Sequence, residues 1–127
     1  MSNAKTNSKK VLICDDEEGI RESLKLILED YYDLVVVDNG TKCLETLKNN
    51  KEIGLVLLDI KMPKVHGLDI LQEIKKFHPS LPVIMATGYQ SVETAGEAAK
   101  RGASGYIIKP FDSNEVLEKV KEKLANK

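Results

Sequence analysis

Leu55-Val56-Leu57-Leu58 is an unbroken aliphatic run that opens after Gly54 and closes on Asp59, with Met62-Pro63 just beyond. A short run with no polar alternation describes a strand buried on both faces, which is the pattern of a strand inside a parallel sheet. Such a strand needs helices above and below it, and therefore a chain in which strands and crossover helices alternate. The run also ends on a carboxylate. A charge at the tip of an apolar strand is costly unless it is paired, and strand tips in open α/β sheets are where ligands bind. An aspartate that only caps the next turn is the plainer alternative.

The rest of the chain supplies the alternation. Val11-Leu12-Ile13-Cys14 is a second aliphatic strand and runs into Asp15-Asp16-Glu17-Glu18. The period then changes: Ile20, Leu24, Ile27, Leu28 and Tyr31 predict an amphipathic helix over about 17–30. Leu34-Val35-Val36-Val37 reads as a strand, Asn39-Gly40 as a turn, and Cys43, Leu44 and Leu47 as a short helix ending near Asn49-Asn50. After the Asp59 strand, Gly67 opens a helix carrying Leu68, Leu71, Ile74 and Phe77, which stops before Pro79. Pro82-Val83-Ile84-Met85-Ala86 is a fourth strand, ending on Thr87-Gly88. The helix from Ser91 to about Arg101 has only Val92, Ala95, Ala98 and Ala99 as its apolar stripe, with Gly96 inside it. Small side chains bury little area, at roughly 25 cal/mol per Å², so this helix is expected to be the most weakly docked and mobile. Gly102 ends it. Tyr106-Ile107-Ile108 is the fifth strand, closing on Lys109-Pro110, and Asp112-Ser113-Asn114-Glu115 starts a last helix with a capping-box spacing and a face of Val116, Leu117, Val120 and Leu124. These elements predict an α/β chain: a flavodoxin-like, doubly wound, five-stranded parallel sheet in the order 2-1-3-4-5, with five helices.

At 127 residues the chain holds one substantial core. Its net charge of -1, from 19 basic and 20 acidic residues, gives no basic surplus for direct nucleic-acid binding or an anionic membrane. The apolar runs fall far short of the roughly 20 residues that span a bilayer, and no signal-peptide core precedes them, so a cytoplasmic location is expected. Cys14 and Cys43 lie far apart with no metal-type spacing, and predict neither a disulfide framework nor a zinc site. His66 and His78 likewise lack metal spacing and read as solvent-facing loop residues.

In that strand order the tips of strands one, three, four and five lie side by side. They deliver Asp15 and Asp16, Asp59, Thr87 and Lys109 to one rim. Two carboxylates about 4 Å apart repel by roughly 4 kcal/mol at an effective dielectric of 20, so such a group needs protonation or a cation beyond one lysine. An oxygen-only site with few protein ligands suits Mg²⁺, which keeps several waters and often shares its shell with a phosphate. The glycine-spaced loop of a Ca²⁺ EF-hand is missing.

These residues resemble the receiver domain of two-component response regulators. The likeness is carried by Asp15-Asp16, Leu57-Leu58-Asp59-Ile60-Lys61-Met62-Pro63, Thr87-Gly88 and Tyr106-Ile107-Ile108-Lys109-Pro110-Phe111 in order at strand ends, over about residues 10–124. Ser91-Val92-Glu93-Thr94-Ala95 and Lys100-Arg101-Gly102-Ala103 look similar to the nitrogen-regulation type of receiver. Met1-Ser2-Asn3-Ala4 reads as a cloning remnant and residues 1–8 are expected to be flexible; the resemblance implies residues 9–127 as the receiver domain. It implies Asp59 as a phosphoacceptor that takes a phosphoryl group from a sensor histidine kinase or phosphotransfer protein. Mg²⁺ would be held by Asp16, Asp59 and the backbone carbonyl of Lys61, with Asp15 acting mostly through water. Lys109 would neutralise a phosphoryl oxygen and Thr87 would hydrogen-bond one, while Thr87 and Tyr106 switch the face around the fourth helix, fifth strand and fifth helix. That face would meet a downstream effector domain or protein, or a second copy in a homodimer. The Lys109-Pro110 bond is expected to be cis. Such a domain catalyses its own phosphorylation and dephosphorylation but turns over no separate substrate.

Plainer readings weigh differently at each position. Glu17 and Glu18 read as acids at a helix start, favourable to the dipole by roughly 0.3 to 1 kcal/mol each, and Tyr106 could be ordinary strand filler. Ser104-Gly105 stands where receivers often carry an acidic pair. Lys61 and Tyr89, two positions after Asp59 and Thr87, flank the water path to the phosphoryl group and predict slow self-hydrolysis by family analogy. An aspartyl-phosphate phosphatase would place a second acid where Lys61 stands. A flavin carrier would need a phosphate cradle where Asp15-Asp16-Glu17-Glu18 would repel it. A receiver-like module that is never phosphorylated is the nearest rival.

Overall fold

The computed structural model describes residues 9–60, 66–88 and 92–125. Lys61, Met62-Pro63, Tyr89, Ser91 and the N-terminal residues 1–8 lie outside the described residues, so the expectations placed on them find no counterpart here. Strands and helices alternate throughout: β1 (Lys10–Cys14), α1 (Glu18–Leu28), β2 (Asp33–Val37), α2 (Gly40–Asn49), β3 (Ile53–Leu58), α3 (Gly67–Phe77), β4 (Val83–Thr87), α4 (Val92–Lys100), β5 (Gly105–Ile108) and α5 (Ser113–Ala125). All strand pairs are parallel, in the order β2-β1-β3-β4-β5.

The period-2 alternation of the strands divides the core into two layers. Leu12, Cys14, Val56, Leu58, Val83 and Met85 pack with Cys43 and Leu47 of α2, Leu71 and Ile74 of α3, and Ala98 of α4. On the opposite face Val11, Ile13, Leu55, Leu57, Ile84 and Ile107 pack with Leu24 and Leu28 of α1 and Val116, Val120 and Leu124 of α5. Every residue of β3 is buried, as its uniform aliphatic sequence requires. Sheet register then fixes the rim: Cys14 lies opposite Leu58, so Asp15 and Asp59 leave adjacent strands at the same level. The Asp59 N–H donates to Cys14 O at 3.1 Å. Thr87 lies opposite Ile108, and the Lys109 N–H donates to Thr87 O at 2.9 Å.

Helix ends follow local chemistry. Asn39 is the N-cap of α2 rather than part of a free turn, its side chain accepting from the Lys42 N–H at 2.9 Å. His66 is the N-cap of α3, its Nδ1 accepting from the Leu68 N–H at 3.2 Å. Gly102 ends α4 at φ 105, while the Ala103 N–H reaches back to Ala98 O at 2.9 Å. The Lys109-Pro110 bond is cis.

Three expected core positions lie elsewhere. Tyr32, not Tyr31, is buried: it continues the four-residue spacing of Leu24 and Leu28, and its N–H donates to Leu28 O at 3.1 Å. Phe77, on the last turn of α3, is exposed under the Lys48 ammonium, 5.5 Å from the ring centroid, while Ile70 is buried in the helix instead. In α4 only Ala98 is buried among the described side chains, and Ala99 faces solvent. Among the described residues no helix is long and apolar enough to cross a membrane.

Candidate functional site

The tips of β1 and β3 carry the two most buried acids of the chain, Asp15 at 1% and Asp59 at 3% exposure, and β4 ends on the equally buried Thr87. Lys109 follows β5, and its Nζ bridges the acids: 3.0 Å from Asp15 Oδ2, 3.2 Å from Glu17 Oε1 and 3.6 Å from Asp59 Oδ2. Asp15, Asp59 and Lys109 therefore meet at the carboxyl end of the sheet, where Thr87 ends β4 beside Lys109. Asp16 is exposed beside them and lies outside the closest carboxylate group, which consists of Asp15, Glu17 and Asp59. Tyr106 is half-buried, packed on the layer that contains α2, α3 and α4.

The β1–α1 turn is built by its own acids. Asp15 Oδ1 accepts the Glu17 N–H at 2.9 Å, and Asp15 O accepts from the Arg21 guanidinium at 2.8 Å. The other carboxylate oxygen, Oδ2, is buried without an aligned hydrogen bond, although the Lys109 ammonium is near it. Burial pushes the Asp15 carboxyl above its ordinary range, against the pull of the Glu17 N–H and Lys109. Burial alone would lower the Lys109 ammonium, but Asp15, Asp59 and Glu17 outweigh it and hold the group above its usual value. A hydrogen bond with Cys43, together with burial, pushes the Cys14 thiol far up, so it is a poor nucleophile.

Three carboxylates thus face one ammonium. Oxygens of Asp15, Glu17 and Asp59 all lie within 4.8 Å of one another. Lys109 Nζ sits among these oxygens, so a divalent cation beside them would share the carboxylates with the ammonium. The surplus of negative charge, three carboxylates against one ammonium, fits a divalent cation. Glu17 is the member that sequence reasoning missed. Acids at helix starts are common, and the only local signal was its place two residues beyond Asp15, where a side-chain-to-backbone turn draws it back to the rim.

One further approach shapes the site. A Cβ on Gly67 would lie 2.0 Å from Asp59 O and 2.7 Å from Ile60 Cα. The Gly67 N–H donates to Ile60 O at 2.7 Å, so α3 starts pressed against the backbone that carries Asp59.

The sequence profile of the response regulator receiver domain matches residues 11–121. The chain belongs to this family. Among related receivers, the transcriptional regulatory protein ZraR of Klebsiella oxytoca is 39% identical over 117 residues, 91% of this chain and 26% of that protein. A putative NtrX-like response regulator of Rickettsia bellii (strain RML369-C) is 42% identical over 110 residues, 84% of this chain and 23% of that protein. The chain spans about a quarter of the length of these curated relatives. A CheY-like receiver from Methanospirillum hungatei JF-1 superposes with a TM-score of 0.89 at 36% identity, covering 94% of this chain and 96% of that one. The receiver domain of NtrX from Brucella abortus gives 0.86 at 34% identity, covering 92% and 99%. The chain is a receiver domain of two-component signalling, a family that works with histidine kinases and output domains.

Proposed function

We propose that Asp59 is the phosphoacceptor of this receiver. A carboxylate oxygen of Asp59 forms a new P–O bond as the P–N bond of a phosphohistidine breaks, and the imidazole of the sensor kinase or phosphotransfer protein leaves with the electron pair. The observation that carries this reading is a carboxylate buried at a strand tip with an ammonium 3.6 Å away and a second buried acid beside it. Lys109 neutralises charge on the transferring group, and Thr87 supplies a hydroxyl to a phosphoryl oxygen. Asp16, Asp59 and the backbone carbonyl of Lys61 would hold Mg²⁺, with Asp15 acting mostly through water; the ion when bound would supply positive charge at the phosphoryl oxygens.

Phosphorylation then biases Thr87 and Tyr106, and with them the face formed by α4, β5 and α5. That face controls a downstream effector domain or protein, and can pair two copies of the chain. Relatives called transcriptional regulators favour an output in transcription, exerted through a partner domain because this chain carries no basic surplus. The domain turns over no separate substrate, acts in the cytoplasm, and occupies residues 9–127. The test is incubation with acetyl phosphate, with Mg²⁺ or with a chelator, comparing wild type and Asp59→Asn. Labelling of wild type alone, and only with Mg²⁺, is expected; equal labelling of both proteins contradicts the assignment.

A further inference from the structure

We infer that Glu17 is a positioning residue for Lys109: its carboxylate holds the ammonium in the resting protein and competes there with an incoming phosphoryl group. The inference rests on the phosphoacceptor role proposed for Asp59. Lys109 Nζ lies nearer to Glu17 Oε1, at 3.2 Å, than to Asp59 Oδ2, at 3.6 Å, so the lysine is drawn toward the rim and partly away from the group that reacts.

The three carboxylates around Lys109 are not equivalent. Asp15 and Asp59 are fixed and buried at strand tips, and Asp15 Oδ2 already lacks an aligned hydrogen bond. Neither can withdraw without taking a buried charge elsewhere. Glu17 has a pinned backbone, through its N–H to Asp15 Oδ1, but a side chain that is 63% exposed. It alone among the three can swing into water at small cost. A phosphoryl group entering on Asp59 brings further negative charge into a pocket whose acids lie within 4.8 Å of one another. Relief then comes from the movable member, and Lys109 is released to the phosphoryl oxygens. An exposed ion pair of this kind is weak, so Glu17 acts as a modest, salt-sensitive brake on phosphorylation.

The experiment measures the initial rate of Asp59 labelling against acetyl phosphate concentration at saturating Mg²⁺, for wild type, Glu17→Gln and Glu18→Gln. Glu17→Gln keeps the shape and removes the charge, and its labelling slope rises about two- to five-fold, the range open to an exposed ion pair. The gap narrows at about 0.5 M salt, because exposed charges are screened there; a purely structural role for Glu17 would not change with salt. Glu18→Gln makes the same charge change one residue away, outside the carboxylate group, and gives less than half the effect. Equal slopes for wild type and Glu17→Gln, an equal rise in Glu18→Gln, or a gap indifferent to salt overturns the inference while leaving Asp59 as phosphoacceptor. Absence of labelling in the wild type overturns both.

Discussion

Replacing Gly67 with alanine tests how tightly the start of α3 is held against the phosphoacceptor strand. The added methyl would lie 2.0 Å from Asp59 O, where ordinary contact begins near 3.4 Å, so helix and strand must separate locally by about 1.4 Å. Neither side is a flexible side chain that can turn away. The obstructing atoms are backbone, and the hydrogen bond from the Gly67 N–H to Ile60 O, 2.7 Å long, is lost or stretched. Overpacking of this kind costs about 1–3 kcal/mol, and a lost hydrogen bond adds about 1. Gly67→Ala should therefore lose about 2–4 kcal/mol in urea unfolding, with an unchanged slope, and label more slowly on Asp59 because the carboxylate moves with its backbone. A loss below about 0.5 kcal/mol with normal labelling would refute the claim that α3 abuts the Asp59–Ile60 backbone.

Gly96 presents the opposite case: a Cβ there meets nothing within 4 Å, so Gly96→Ala should stabilise the chain by about 1 kcal/mol in urea titrations. Asp15 has a folded pKa above its unfolded value of 3.8, so the native state holds its proton longer; stability from this group is present below that value and is lost as pH rises through the folded pKa. Asp15→Asn should accordingly be more stable than wild type near pH 7, with the advantage shrinking toward about pH 4 in urea midpoints measured across that range. Mg²⁺ at about one hundred times its dissociation constant should stabilise wild type by about 2.7 kcal/mol. The same addition should shift the melting of Asp59→Asn much less, as calorimetry can record.

Much of the site was legible because it depends on strand tips, and strand tips are set by period and register. The aliphatic runs ending at Cys14, Leu58 and Ile108 fix where Asp15, Asp59 and Lys109 emerge, and a parallel order of 2-1-3-4-5 leaves no freedom to scatter them. Side-chain choices beyond the tips were less legible. Lys109 has several acids within reach, and which of them it joins depends on the turn that folds Glu17 back toward Asp15. Helix ends were also less legible: spacings of three and four are both helical, so Tyr31 and Tyr32 compete for the position after Leu28, and Phe77 on the last turn of α3 is exposed beneath Lys48. Gly67 looked like a helix opener, and only the distance to Asp59 O reveals it as a spacing requirement.

The central claim is that Asp59 carries a transient acyl phosphate, and borohydride trapping tests it most directly. Wild-type protein is treated with acetyl phosphate and Mg²⁺, reduced, and cut with trypsin. The peptide from Glu52 to Lys61 has Asp59 as its only aspartate. Conversion of that residue to homoserine, dependent on both reagents, is the predicted result. An unmodified peptide alongside homoserine at Asp15, Asp16 or another aspartate would contradict the account.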